Sequence, residues 1–356
     1  MKVLLRIFIP LCIFSFIAFG ISVAVLGTNP ASGETAVMEL VKSDTASTYE
    51  ITDSFSRIKA DTGASKLTIQ PWSEPATQVT VAGADTNGVK VSVSGDTLVL
   101  RTEWSWSGDW FSRLLSGNAF ETEVLVKVPD NTYKKLELHT GAGSLVSDGV
   151  KAETVSLDVG AGTLVYDQPD GFRTEYISAD ISAGSLTAKN AATAEYRIDV
   201  SAGSAYLDGL TGSGVMTVSA GSARAEFSEL TSNCTVNVSA GTAILDIPEN
   251  SSAKFICNKS AGDIRILAGG ENRSAEDGDV ISINGGGTEV DLSISAGSIR
   301  VVSSTASAVE EDASGKAETA VSVADSDDVL GRVGEAFGGV FSTAGENIDR
   351  AFSSLS

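Results

Sequence analysis

Between Leu136 and Val301 one four-residue phrase keeps returning, and its spacing closes off most folds. Gly141-Ala142-Gly143-Ser144, Gly160-Ala161-Gly162-Thr163, Ser182-Ala183-Gly184-Ser185 and Ser201-Ala202-Gly203-Ser204 are the first four copies. Ser219-Ala220-Gly221-Ser222, Ser239-Ala240-Gly241-Thr242, Ser260-Ala261-Gly262-Asp263 and Ser295-Ala296-Gly297-Ser298 follow. The central glycines stand 19, 22, 19, 18, 20, 21 and 35 residues apart. A unit of about 20 residues is too short to bury a core alone, so its copies must stack on one another as a solenoid.

Aligned on the central glycine, the copies show which side chains turn inward. Five residues before it stand Leu138, Leu157, Ala179, Ile198, Met216, Val236, Cys257 and Leu292; three before it stand Thr140, Val159, Ile181, Val200, Val218, Val238, Lys259 and Ile294. Polar residues lie between them, which is the period of two of a strand with one buried face. Two residues after the glycine the side chain is again apolar, from Leu145 to Ile299, so the inward parity changes at the phrase. Each repeat therefore reads as two short strands joined at a bend, with glycine supplying the backbone freedom and the neighbouring alanine filling the inside of the corner. Identical columns stacked about 4.8 Å apart give a parallel β-solenoid, all-β in class. Upstream, Ile58, Ala60, Thr62, Leu67 and Ile69 fit the same template with Ser65 in the glycine's place. Strands at 78–82, 89–94 and 97–102 should cap or widen the solenoid's start, the last two joined at Gly95-Asp96.

The termini have other characters. Lys2 and Arg6 precede Ile7 to Leu26, twenty residues without a charge, long enough to span a bilayer and to leave the chain beyond Gly27 on the extracytoplasmic side. Residues 1–27 are thus a single-pass anchor, with a cleavable signal peptide as the alternative. Residues 28–48 form a polar tether and 49–302 the solenoid. The acidic, Ser- and Ala-rich segment 303–328 has the composition of a disordered linker. From 329 to 356 apolar residues including Phe337 and Phe341 recur every three or four positions, an amphipathic helix weakened by five glycines. Such a helix needs a surface: its own solenoid, a partner protein or a membrane.

Trp104, Trp106, Trp110 and Phe111 make the one aromatic cluster, in a loop longer than a hairpin requires. The loop either covers an end of the solenoid core or forms a contact surface for a protein, glycan or membrane.

Chemistry is sparse. With 46 acidic against 25 basic residues, a formal charge of -21 argues against nucleic acid as a partner. Cys234 and Cys257 fall in inward columns two positions out of register on repeats taken as neighbours, an offset that disfavours a disulfide. His139 is the only histidine and faces outward, and no nucleophile elbow, zinc-protease or phosphate-loop motif is present. The chain reads as non-enzymatic and without a cofactor. Asp158, Asp180 and Asp199 stack on successive rungs, a solvated acidic face or an oxygen-only calcium site.

The run Val126-Lys127-Val128-Pro129-Asp130-Asn131-Thr132-Tyr133-Lys134-Lys135-Leu136, leading into the Ala-Gly-Ser/Thr repeats, resembles the bacterial adhesin-type β-solenoids called toastrack domains. The resemblance covers about Tyr49 to Val302. The family usually reads Ser-Gly-Asp where this chain reads Ala-Gly-Ser, and Gly262-Asp263 alone keeps the acidic form. The resemblance implies a non-enzymatic, membrane-anchored module of the cell envelope, acting in adhesion or beside envelope-stress signalling, with a protein or glycan partner or in a homo-oligomer. A polysaccharide-acting enzyme is the alternative, since paired carboxylates suffice for a glycosidase.

Overall fold

The structure is a computed structural model that describes residues 39–42, 46–83, 88–102 and 122–303. Its N-terminal part contains β1 (Glu39–Lys42), β2 (Ala46–Ile51), β3 (Arg57–Thr62), β4 (Lys66–Trp72), β5 (Thr77–Gly83), β6 (Val89–Ser94), β7 (Thr97–Thr102) and β8 (Thr122–Pro129). The repeats supply β9 (Thr132–Thr140), β10 (Ser144–Asp148), β11 (Lys151–Val159), β12 (Thr163–Asp167), β13 (Thr174–Ile181), β14 (Ser185–Lys189), β15 (Thr193–Val200) and β16 (Ser204–Leu210). They continue as β17 (Ser213–Val218), β18 (Ser222–Phe227), β19 (Cys234–Val238), β20 (Thr242–Ile247), β21 (Ala253–Lys259) and β22 (Asp263–Leu267). Last come β23 (Arg273–Ser274), β24 (Val280–Ile283), β25 (Thr288–Ile294) and β26 (Ser298–Ser303). Among the described residues every element is a strand, and β1 and β2 begin inside the segment expected to be a tether.

A 14-stranded and a 12-stranded sheet share one apolar core, and each repeat gives one strand to each sheet on either side of its bend. The alignment columns are the observed ladders. Val159, Ile181, Val200, Val218 and Val238 pair in register through successive parallel strands and are all buried. Ser65 occupies the glycine's place in the β3–β4 rung, because Ile58, Ala60 and Thr62 pair with Leu136, Leu138 and Thr140.

Sequence order and stacking order part at both ends. The β25–β26 rung does not follow β21–β22; it inserts between that rung and β19–β20, hydrogen-bonding on both sides. At the other end β3 and β4 lie between the β9–β10 rung and the strands β7 and β8. The antiparallel strands β5, β6, β23 and β24 then cap the open ladders. The interval of 35 residues is explained in this way: it holds two cap strands and the return path of the chain. Cys234 and Cys257 consequently sit two rungs apart with Val290 and Leu292 between, and both are free and buried.

The corner corrects the expectation about alanine. Ala142, Ala161, Ala183, Ala202, Ala220 and Ala240 are exposed on the outside of the bend, and it is the central glycine that turns inward. A Cβ on Gly241 would stand 2.7 Å from Val218 Cγ1 and collide with the Gly221 carbonyl oxygen of the rung before. Close approach between rungs, not an unusual backbone angle, selects glycine there; only Gly262 and Gly297 take positive φ, at 88° and 92°.

Candidate functional site: outward charge ladders

Because strands alternate faces, every second residue of the 12-stranded sheet points away from the core. The position four before the glycine forms one outward column in the order Arg101, Asp61, His139, Asp158, Asp180, Asp199, Thr217. The three expected aspartates are thus brought together on successive rungs, and Arg101, Asp61 and His139 extend their column. Asp61 was legible once Ser65 was aligned with the glycines; Arg101 was not, since the repeat phrase is missing after Thr102.

Charges along the column are partly compensated. His139 Nδ1 lies 2.9 Å from Asp158 Oδ2 and its Nε2 4.0 Å from Asp61 Oδ1, while Arg101 Nε lies 3.8 Å from Asp61 Oδ2. The hydrogen bond to Asp158 holds the His139 imidazolium above the usual histidine range, against the opposing effect of burial. Arg197 Nε, two residues along its own strand, sits 2.7 Å from Asp199 Oδ2. Asp180 lies between the Asp158 and Asp199 carboxylates, and partial burial followed by the charges of Asp199 and Asp158 pushes its carboxyl above the ordinary aspartate range. Among the described residues no group of three or more His, Cys, Asp or Glu side chains is placed to hold a metal ion. The aspartates form a column along the stack and do not converge on a point.

The 14-stranded sheet carries three parallel outward lanes. One after the glycine runs a hydroxyl lane, Ser144, Thr163, Ser185, Ser204, Ser222, Thr242 and Ser298. Five after it comes a carboxylate-rich lane with Asp148, Asp167, Glu226 and Asp246, interrupted by Lys189. Between them lies a mixed lane of Val146, Val165, Thr187, Tyr206, Arg224, Ile244, Arg300 and Arg265.

A shallow hollow opens where the β16–β18 ladder slips register between Leu207 and Leu210. The slip accommodates Asp208 and Gly209, the latter at φ 71°. Arg224 is the hub: its Nε lies 2.8 Å from Glu226 Oε1 and its Nη2 3.0 Å from Asp246 Oδ2, whose side chain is only 9% exposed. Burial and then the Glu226 charge raise the Asp208 carboxyl above its ordinary range, and the same two causes raise the Tyr206 hydroxyl. These residues went unremarked in the sequence, although the recurrence of a carboxylate five after the glycine was there to be read.

Trp104, Trp106, Trp110, Phe111, Phe337 and Phe341 lie outside the described residues, as do the segments 1–27 and 304–356. Among the described residues no helix is long and apolar enough to cross a membrane.

With two sheets, a glycine bend and ladders in register established, the Toastrack DUF4097 family model matches residues 55–309. The chain belongs to the toastrack family. Solved structures with a similar course include a "putative lipid binding protein" from Parabacteroides distasonis, at 12% identity, covering 73% of this chain and 97% of that one, TM-score 0.41. A "putative adhesin" from Parabacteroides merdae matches at 12% identity over 73% of this chain and 97% of its own, TM-score 0.40. Another from Parabacteroides distasonis matches at 15% over 72% and 97%, TM-score 0.40. No curated protein matches the chain. In this toastrack chain the serines of the corner are solvent-facing, and the alanines, expected on its inside, are exposed beside them.

Proposed function

We propose that this toastrack protein is a non-enzymatic interaction module, held at the cell membrane by its N-terminal apolar segment and presenting its outward ladders to a protein or glycan partner on the extracytoplasmic side. Adhesion, or an accessory role in the envelope-stress response, is the setting. The observation that carries the reading is the register of the outward columns. Parallel ladders fix hydroxyl, mixed and carboxylate-rich lanes at a repeat of about 4.8 Å, so an extended partner meets a preorganised surface and little ordering entropy is lost on binding. The family membership and the absence of catalytic motifs from the sequence support it.

The test is binding of the detergent-solubilised full chain to immobilised peptidoglycan, to vesicles and to intact cells. Saturable binding that Thr187→Lys or Asp180→Lys abolishes without lowering the melting temperature supports the module. Binding indifferent to both substitutions refutes a role for the faces.

One observation favours an enzyme acting on a polysaccharide: Asp208 and Glu226 share a hollow beside Tyr206, with the Asp208 carboxyl pushed above its ordinary range by burial and then by the Glu226 charge, and a pair of carboxylates in one hollow is what a glycosidase uses. Release of reducing ends from envelope glycan, lost in Glu226→Gln, would establish that reading in place of the first.

A further inference from the structure

Each sheet ends beyond the last rung in a cap strand, and the outer side of β24 is unpaired among the described residues. Cys257 N–H donates to the Asp279 carbonyl at 2.9 Å, and from there β24 pairs with β21 from Ile256↔Val280 to Ala253↔Ile283. In an antiparallel ladder every second residue bonds to a given neighbour, so the backbones of Ile281 and Ile283 bond to β21, while the peptide groups of Val280 and Ser282 point to the open side. Sheet edges of this kind are ordinarily guarded by a charge. The other three terminal strands have one: Glu39 and Lys42 on β1, Lys90 on β6 and Arg273 on β23. β24 reads Val-Ile-Ser-Ile, and its Val280 is left 54% exposed.

We propose that the open edge of β24 pairs with β24 of a second copy, antiparallel about a two-fold axis at Ile281, so that the 12-stranded sheets of the two copies join edge to edge. The strand's own bounds select that register. The chain turns away at Gly278, with φ 80°, and at Asn284, with φ 49°. Setting Val280 opposite Ser282 of the other copy is the antiparallel register in which all four residues of each strand face one another. The two equivalent pairs, Val280 with Ser282 and Ser282 with Val280, each exchange both of their N–H to C=O bonds, as an isologous contact requires. A shift by two residues would call on the Gly278 amide, already given to the Cys257 carbonyl at 2.9 Å, or on Asn284, which has left strand geometry.

Charge favours this orientation. Glu276, Asp277 and Asp279 precede the strand, and Asn284, Gly285, Gly286 and Gly287 follow it. The two-fold lays the acidic flank of each copy beside the uncharged flank of the other, whereas parallel pairing would set acid against acid. On the outward face Val280 comes to lie between Ile256 of its own sheet and Ser282 of the other copy, and it loses water on that side. One short strand is a small contact, far below the roughly 800 Å² per partner of a standard interface. Each copy also carries a formal charge of -21. The dimer is accordingly weak, and salt strengthens it by screening two like-charged bodies. It is independent of what the outward ladders bind.

The test uses the detergent-solubilised full chain with Cys12 replaced by Ser, Cys234 and Cys257 being buried. Sedimentation is expected to show a monomer and dimer in equilibrium, shifting toward dimer between about 0.02 and 0.5 M salt as the Debye length contracts. Val280→Lys should shift it to monomer with unchanged circular dichroism. Ser282→Pro should do the same, because it removes an N–H on the open side and proline is tolerated there on an edge strand. Disulfide trapping reads the register. Opposite residues of a bonded pair have Cα atoms about 5.5 Å apart, within disulfide reach, while Val280 lies more than about 7 Å from its own equivalent. A mixture of Val280→Cys and Ser282→Cys chains should therefore cross-link under mild oxidation, and either alone only poorly. Three results overturn the proposal: a monomeric wild type, which leaves the edge to a strand of another protein; dimers that persist in both Val280→Lys and Ser282→Pro, as association through the N-terminal segment would give; or a mixture that cross-links no better than its parts.

Discussion

Val200 and Gly221 meet across neighbouring rungs: a Cβ on Gly221 would stand 2.9 Å from Val200 Cγ1 and run into the Gly203 carbonyl oxygen. Replacing glycine by alanine at a compatible site usually stabilises by about 0.4–1 kcal/mol through the unfolded chain. Here the sign reverses. Gly221→Ala is expected to lose about 2–3 kcal/mol, the scale of overpacking a rigid core, because one obstacle is backbone and cannot rotate away. The adjacent Ala220→Ser, on the exposed outside of the corner, should stay within about 0.5 kcal/mol. Urea unfolding of both variants checks the contrast.

Val200→Asp tests the core itself. Val200 is 1% exposed and pairs with Ile181 and Val218 in the inward column. An unpaired carboxylate there is expected to cost several kcal/mol and to melt the flanking rungs, since each rung is stabilised chiefly by its neighbours. Loss of amide-exchange protection in β13 through β18 ahead of the rest of the solenoid is the expected readout.

The outward ladder predicts a pH dependence with a definite sign. His139 titrates above its unfolded value, so the stabilisation from its contact with Asp158 is complete below about pH 6.5 and is lost as the pH rises through the folded value. The raised Asp180 adds in the same direction at lower pH, because protonation removes its repulsion with Asp199 and Asp158. Melting temperature should therefore fall between pH 6 and 8, and His139→Gln should flatten that slope. Asp180→Asn should melt higher than wild type at pH 7 and converge with it toward pH 4.

The fold was legible because its repeat is written in side chains that each do one thing: Val159 through Val238 mark a column, and the glycines mark the bend. Ala142 and its equivalents were misplaced because a small residue beside a bend is compatible with either side of the corner. Only the position of the preceding rung decides which residue is crowded. The inserted last rung was hidden for the opposite reason. Its columns, Leu292, Ile294 and Ile299, match the template as well as any other rung, so nothing local in them says where in the stack they go. The hollow beside Arg224 depends on the β16–β18 slip, and the facing of Arg265 and Arg300 on that insertion, and neither is visible as a spacing.

Calcium separates a metal site from a solvated acidic face. Since the ladder's carboxylates lie along a column, millimolar Ca²⁺ is expected to raise the melting temperature only slightly, through screening, and to do so equally in wild type and Asp180→Asn. A saturable rise confined to wild type would instead assign Asp158, Asp180 and Asp199 to a calcium site.

The inserted rung makes the last prediction. β26 is bonded to β20 on one side and β22 on the other, and β25 likewise to β19 and β21. A chain ending after Ser303 retains both ladders and is expected to unfold in one transition at the temperature of the full protein, unless residues 304–356 dock on the solenoid. A chain ending after Gly287 loses Leu292, Ile294, Ile299 and Val301, all buried and worth about 1.5–3 kcal/mol each. The matching columns of β21–β22 offer β19–β20 a replacement partner, but the cap strands β23 and β24 hold that rung from the far side. Calorimetry of the shorter chain should accordingly show a lower transition with reduced enthalpy and early exposure of β21 and β22. An unchanged melting temperature after removal of 288–356 would mean that the rung is an addition to a solenoid already complete without it.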